Sequence, residues 1–201
     1  TDYVLLTTFA GNDFVCPIPY LKIKLDKLRT PMKIYKELLP TQDDYLVKIS
    51  ENNEYSLNHD FFEEFIGELS ETEEYKLRGM QKRIHSERKR TTLDQRSKDA
   101  EKDMTPFEVE MSRIEHKPFY SKFNPLYSLY NKEFDKINFF QDKPRWKENY
   151  YQYFFKRDDP EYLDKVILNY IESLLFVINY YFKGVPSWKW HYKYRVAPLP
   201  S

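Results

Sequence analysis

Residues 159–184 read DPEYLDKVILNYIESLLFVINYYFKG, and this stretch decides the fold class. Asp159 followed by Pro160 is a helix start: a capping carboxylate, then a residue whose missing N–H costs nothing in the first turn. Leu163, Val166, Ile167, Tyr170, Ile171, Leu174, Ile178 and Tyr181 then keep the helical period until Gly184 closes it. The spacing predicts the core helix of the chain. Its most apolar part, around Leu174 to Tyr181, is interrupted by Asn179 and preceded by Glu172, so it is too short to span a bilayer and predicts a soluble protein without membrane partners.

Working outward, PRWKENYYQYFF predicts a second helix beginning at Pro144. Phe61, Phe62, Phe65, Ile66 and Leu69 give an amphipathic helix after Leu57. Thr30 and Pro31 predict a helix with Thr30 as N-cap, its apolar face at Met32, Tyr35, Leu38 and Leu39 and its end at Pro40. Residues 2–10 predict a buried helix stopped by Gly11, after which Pro17 and Pro19 force an extended path. SETE, Ser70 to Glu73, has the form of a capping box opening a long, charged helix that past Tyr75 is a solvated arm or a surface for a polyanion. The Pro- and aromatic-rich residues 103–145 are expected to lie irregularly over the core. The fold class expected is mainly α with minor β.

Composition narrows the functional classes. With 41% hydrophobic and 18% aromatic residues, the chain of 201 residues folds. One cysteine, Cys16, cannot make an internal disulfide, which suits an intracellular, reducing compartment, cytoplasmic or nuclear. Four scattered histidines give no zinc spacing, four glycines make no phosphate loop, and no serine or cysteine nucleophile has a placed partner. The net charge is zero, yet charge is sorted into blocks. Glu51 to Tyr75 holds nine acidic residues and no Lys or Arg, Lys76 to Arg96 holds eight basic ones, and no acidic residue follows Glu172. The run KRIHSERKR, Lys82 to Arg90, suits either a solvated helix face or phosphate contacts.

Two short stretches offer chemistry. In GVPSWKWHYKYRVAPLPS, residues 184–201, Trp188, Trp190, Tyr192, Tyr194 and Val196 alternate with Lys189, His191, Lys193 and Arg195. In an extended chain, rings would face one way and cations the other, a surface that stacks bases and holds phosphates. The alternative is a strand whose rings pack into the core while the cations stay solvated. The second stretch is FAGNDF, where Asp13 between Phe9 and Phe14 is a turn residue or a carboxylate kept for a cation.

Taken together, GNDF (Gly11 to Phe14), the YLKI and IYKELLP segments, WKENYY and YYFKGVPSWKWHYKYRVAP are collinear with, and the chain resembles, the XRN family of 5′→3′ exoribonucleases. The most specific parts are Gly11-Asn12-Asp13-Phe14 and the block from Tyr180 to Pro198. The resemblance implies that residues 1–40 end a PIN-like, flap-endonuclease-related α/β nuclease core, that 41–143 form a helical segment with its charged arm and connector, and that 144–201 form a helical domain opening the second conserved region. It implies hydrolysis of single-stranded, 5′-monophosphorylated RNA with Mg2+ or Mn2+, with Asp13 as catalytic metal ligand. Trp188 and Trp190, with Lys189, Lys193 and Arg195, would then belong to the RNA path.

In that family the other acidic ligands and the 5′-phosphate pocket lie upstream of GNDF, where this chain has only Thr1 to Ala10. Starting at Thr1, within a predicted helix, the chain is expected to be a piece of something larger and to hold an incomplete active site. FVCPIP also departs from the family's usual Leu-Pro-His type of sequence. A non-catalytic RNA-binding or scaffold module is the rival expectation, since binding survives without a metal cluster and hydrolysis does not.

Overall fold

Leu5, Leu6 and Phe9 recur at helical spacing near the start of the chain, and in the structure, a computed structural model, they form the floor of the core. The described residues are 1–21, 28–82, 105, 139–140, 143–157 and 159–201. Helix α1 is Asp2–Thr8, α2 is Arg29–Leu38 with a 3-10 turn Leu39–Thr41 behind it, and α3 is His59–Glu71. A 3-10 turn Lys143–Arg145 leads into α4, Trp146–Phe155, and α5 is Pro160–Lys183. The described residues are mainly helical, as expected, and among them the minor β component is one antiparallel hairpin between α2 and α3, β1 Val47–Ile49 and β2 Tyr55–Leu57, with Val47 opposite Leu57.

α5 is held at both ends as the sequence predicts. The Asp159 carboxylate accepts the Tyr162 N–H at 3.1 Å, and Gly184, at φ +91°, closes the last turn on the Tyr180 carbonyl. Its buried set includes Val166, Tyr170, Leu174, Val177 and Ile178, but Ile167 and Tyr181, assigned to the core face, stand in solvent. The buried arc is instead widened to Asn169, Ser173 and Phe176, because α1 packs along one side and the C-terminal segment along another.

Asp2 ties the first layer together. One oxygen accepts the Tyr35 hydroxyl at 2.7 Å and the Leu46 N–H at 2.9 Å, and the other accepts the Val47 N–H at 3.0 Å. A single carboxylate thus joins α1 to α2 and to the start of the hairpin and satisfies two backbone donors that are otherwise buried. Burial, then the bond to Asp2, holds the Tyr35 phenol above its ordinary range.

Three local expectations are corrected. Thr30 is not the N-cap, since α2 already begins at Arg29 and Pro31 sits buried within the first turn, where an absent N–H is still harmless. Ser70 does not open a new helix: its hydroxyl bonds the Gly67 carbonyl at 2.7 Å inside α3, and the break falls at Thr72. Pro144 lies in the 3-10 turn, and the helix proper starts at Trp146.

After Thr72 the residues 73–82 are helical again, with one face packed while Glu74, Tyr75, Gly79 and Lys82 stay exposed. Glu73 and Leu77 are buried, the Lys76 ammonium lies over the Tyr20 ring and the Arg78 guanidinium lies 4.3 Å from the centre of the Phe140 ring. The arm beyond Lys82, with the rest of the basic run to Arg90, and most of the segment 103–145 lie outside the described residues.

Candidate nucleic-acid interface

Gly11 to Phe14 form a tight turn in which each residue has a separate task. Gly11 adopts φ +87°, and a Cβ there would meet the Pro17 ring at 2.8 Å, so both backbone and space demand glycine. The Asn12 side-chain oxygen accepts the N–H groups of Phe14 and Val15, each at 2.9 Å, while the Asn12 N–H returns to the Val15 carbonyl. Asp13 is held at the tip with its side chain in solvent. Phe14 turns back and sets its ring against Phe176 and Tyr180 of α5, at 5.6 and 4.8 Å between centres.

The segment after α5 repeats this design with different residues. The Ser187 hydroxyl accepts the N–H groups of Lys189 and Trp190 at 3.3 and 3.2 Å, closing a turn around Trp188. Trp188 is 90% exposed. Trp190 folds inward and stacks on Phe176, centres 4.6 Å apart and planes 20° apart. GNDF and PSWKW, separated by more than half the chain, therefore meet on one ring. The sequence leaves open which tryptophan is presented outward, and the geometry gives them opposite environments.

Farther along, the expected strand does not form. Residues 189–201 contain no strand, because their polar and aromatic groups find partners across the tertiary fold instead of in a ladder. The buried Tyr192 ring meets those of Tyr170 and Tyr194, and its hydroxyl donates to the Val196 carbonyl. The Lys193 N–H donates to Asn169 on α5 at 3.0 Å. Tyr150 and Tyr151 of α4 bond the Ala197 carbonyl and the Leu199 N–H, and the Ser201 N–H reaches Glu73. Burial raises both Tyr150 and Tyr151, the latter to about 12, so both are neutral phenols in their bonds.

The outcome matches the packed alternative for the rings of Trp190, Tyr192 and Tyr194, with Trp188 as the exception. Lys189, His191, Lys193 and Arg195 all remain exposed. Residues 173–201 contain no Asp or Glu, so this segment carries the exposed Lys189, Lys193 and Arg195 with no acidic residue of its own, following an exposed indole in the chain. An indole in water with nearby cations is suited to stack a base and pair its phosphate.

Cys16 follows the turn and is part-buried, its thiol donating to the Arg195 carbonyl at 3.3 Å while the Tyr170 hydroxyl donates to the Cys16 carbonyl. Burial pushes the thiol above its ordinary pKa, away from nucleophilic character. It fastens the loop after GNDF to the C-terminal segment. Among the described residues no group of three or more His, Cys, Asp or Glu side chains can hold a metal ion, and no helix is long and apolar enough to cross a membrane. Asp13 alone does not make a divalent metal site, which needs several oxygen ligands.

A family model described as the Xrn1 helical domain matches residues 1–119 and 124–201. The chain belongs to the Xrn1 helical domain family. The match runs through residues 1–40, expected to end a PIN-like core, as well as through the later segments. Among proteins similar to this chain, 5′-3′ exoribonuclease 2 of Cryptococcus neoformans is 43% identical over 59 residues, 28% of this chain and 5% of that protein. 5′-3′ exoribonuclease 2 of Arabidopsis thaliana is 37% identical over 75 residues, covering 35% of this chain and 7% of the relative. 5′-3′ exoribonuclease 1 of Homo sapiens is 26% identical over 222 aligned residues, which take in 100% of this chain and 12% of that protein. The chain thus spans a small fraction of these relatives' length.

Sequence reasoning missed Phe176, Asp2 and Glu73. Phe176 lies off the stripe from Leu163 to Tyr181, and the signal that marks it is the near-continuous apolar run from Leu174 to Ile178, which fits a helix covered on more than one face.

Proposed function

We propose that this chain serves a 5′→3′ exoribonuclease that degrades single-stranded, 5′-monophosphorylated RNA with a divalent ion, Mg2+ or Mn2+. In this reading Trp188 is a stacking platform, and Lys189, Lys193 and Arg195 pair with phosphates. Trp190 contributes from beneath, as the half-buried support of the Trp188 turn. Asp13 supplies one carboxylate at the boundary with a PIN-like nuclease core, and the remaining metal ligands lie outside this chain. When bound, the ion would supply Lewis-acid chemistry; this chain's own part is to hold RNA and present a carboxylate.

The single observation that carries the proposal is the convergence of the Asp13 turn and the Trp188 turn on Phe176, each leaving its tip residue in solvent. The names of the relatives support the same class of activity. A second reading, a non-catalytic RNA-binding or scaffold module, is favoured by one observation: Asp13 has no partner carboxylates forming a metal group among the described residues.

The exoribonuclease reading and an RNA-binding module both require single-stranded binding, whereas a protein scaffold does not. Fluorescence anisotropy with a 5′-monophosphorylated oligonucleotide, free and as its duplex, is expected to show tighter binding of the free strand, with affinity falling as salt rises. Equal binding of strand and duplex, or none of either, contradicts the proposal.

A further inference from the structure

The two turns are built alike: a side-chain oxygen caps two N–H groups, a solvent-facing residue sits at the tip, and an aromatic ring folds back. Their rings, Phe14 and Trp190, contact the same partner, Phe176, whereas Tyr180 contacts only Phe14 among the ring pairs of these two turns. Phe176 is 9% exposed and sits on a helix of 24 residues fixed at its N-terminus by Asp159 and at its C-terminus by Gly184. Resting on the RNA-path reading above, we infer that Phe176 is a positioning residue: by seating Trp190 and Phe14 together it fixes where Trp188 stands relative to the Asp13 turn. It touches no RNA itself.

The physical reason lies in the short turn around Trp188. Its two capping bonds, accepted by the Ser187 hydroxyl at 3.3 and 3.2 Å, are long and partly solvent-exposed, so they fix the turn's shape but not its place on the domain. The stacked Trp190 supplies that anchor. Flat ring-on-ring contact restricts both tilt and slide, which a branched aliphatic side chain of similar bulk does not.

The test measures binding of a fluorescein-labelled, 5′-monophosphorylated oligouridylate to the 201-residue chain, with thermal melts to verify folding. Phe176→Leu is expected to weaken binding about fivefold, a coupling of ordinary size for neighbouring residues, while Phe176→Tyr, which keeps the ring, binds as the parent does. Because Phe176 acts through Trp188, Phe176→Leu combined with Trp188→Ala binds no more weakly than Trp188→Ala alone. Parent-like affinity in a folded Phe176→Leu variant, or losses that simply add in the double variant, overturns the inference. If Phe176→Leu does not fold, Phe14→Leu probes the same seat from a position that is 38% exposed; weakened binding supports the inference and unchanged binding overturns it. Parent-like binding by Trp188→Ala removes the RNA-path reading and this role together, whereas an effect of Trp188→Ala alone removes only the role of Phe176.

Discussion

The rings of Phe176 and Trp190 lie 4.6 Å apart, and this stack decides which of two neighbouring tryptophans faces solvent. Once Trp190 is seated on α5, the turn capped by Ser187 carries Trp188 outward.

The two tryptophans therefore separate function from stability. Trp188→Ala is expected to weaken single-stranded RNA binding by about 1–3 kcal/mol, the usual worth of a stacked base, with little change in melting temperature. Trp190→Ala removes a packed ring and is expected to cost about 2–4 kcal/mol of folding stability. Parallel anisotropy titrations and urea melts check the pair.

Asp2 predicts a purely structural loss. Asp2→Ala strands the Leu46 and Val47 N–H groups and the Tyr35 hydroxyl, at a cost of about 3 kcal/mol. Asp2→Asn keeps one acceptor but turns an amide donor toward a backbone donor, so it too destabilises, by less. Denaturant unfolding of the two variants gives the order.

Glu73 gives the chain a pH-dependent stability. Its carboxyl is 0% exposed, one oxygen accepts the Ser201 N–H, and burial pushes its pKa from an ordinary 4.5 up to about 7 against the opposing bond from Ser201 and the Lys147 charge. The folded state binds the proton more tightly than the unfolded chain. Its contribution is thus fully present below about 4.5 and is lost as pH rises through about 7, a total on the order of 3 kcal/mol. Glu73→Gln, neutral at every pH, is expected to flatten that slope and to be more stable than the parent at pH 8. Urea midpoints at acidic and mildly alkaline pH measure it.

These residues also mark how far the sequence could be read. The cap at Asp159, the stop at Gly184, the face of α3 and the centre of the α5 face at Val166, Tyr170, Leu174 and Ile178 were legible because they depend on neighbours three or four positions away. The hairpin was not, since its strands are three residues each and its turn rests on Asn53 at φ +61° instead of a glycine. Ser70 and Glu73 match a capping box letter by letter, yet Glu73 is taken by Ser201 across the fold. The alternation from Trp188 to Val196 has the strand period without a strand, because Asn169 on α5 takes the Lys193 N–H and the Tyr192 hydroxyl takes the Val196 carbonyl, groups a ladder would use. Of the candidate site, GNDF and PSWKW were visible as local patterns, and their meeting on Phe176 was not, because no periodic rule joins residues so far apart in the chain.

In the proposed function Asp13 and Trp188 act on one RNA strand, the first in hydrolysis and the second in holding it. The most direct measurement compares Asp13→Ala with the parent in the complete exoribonuclease, following release of nucleotides from a 5′-monophosphorylated single-stranded RNA and, in parallel, RNA affinity. Turnover lower by more than about 100-fold with affinity held within twofold is the predicted result. Parent-like turnover in Asp13→Ala would contradict the account and leave Asp13 as a turn residue.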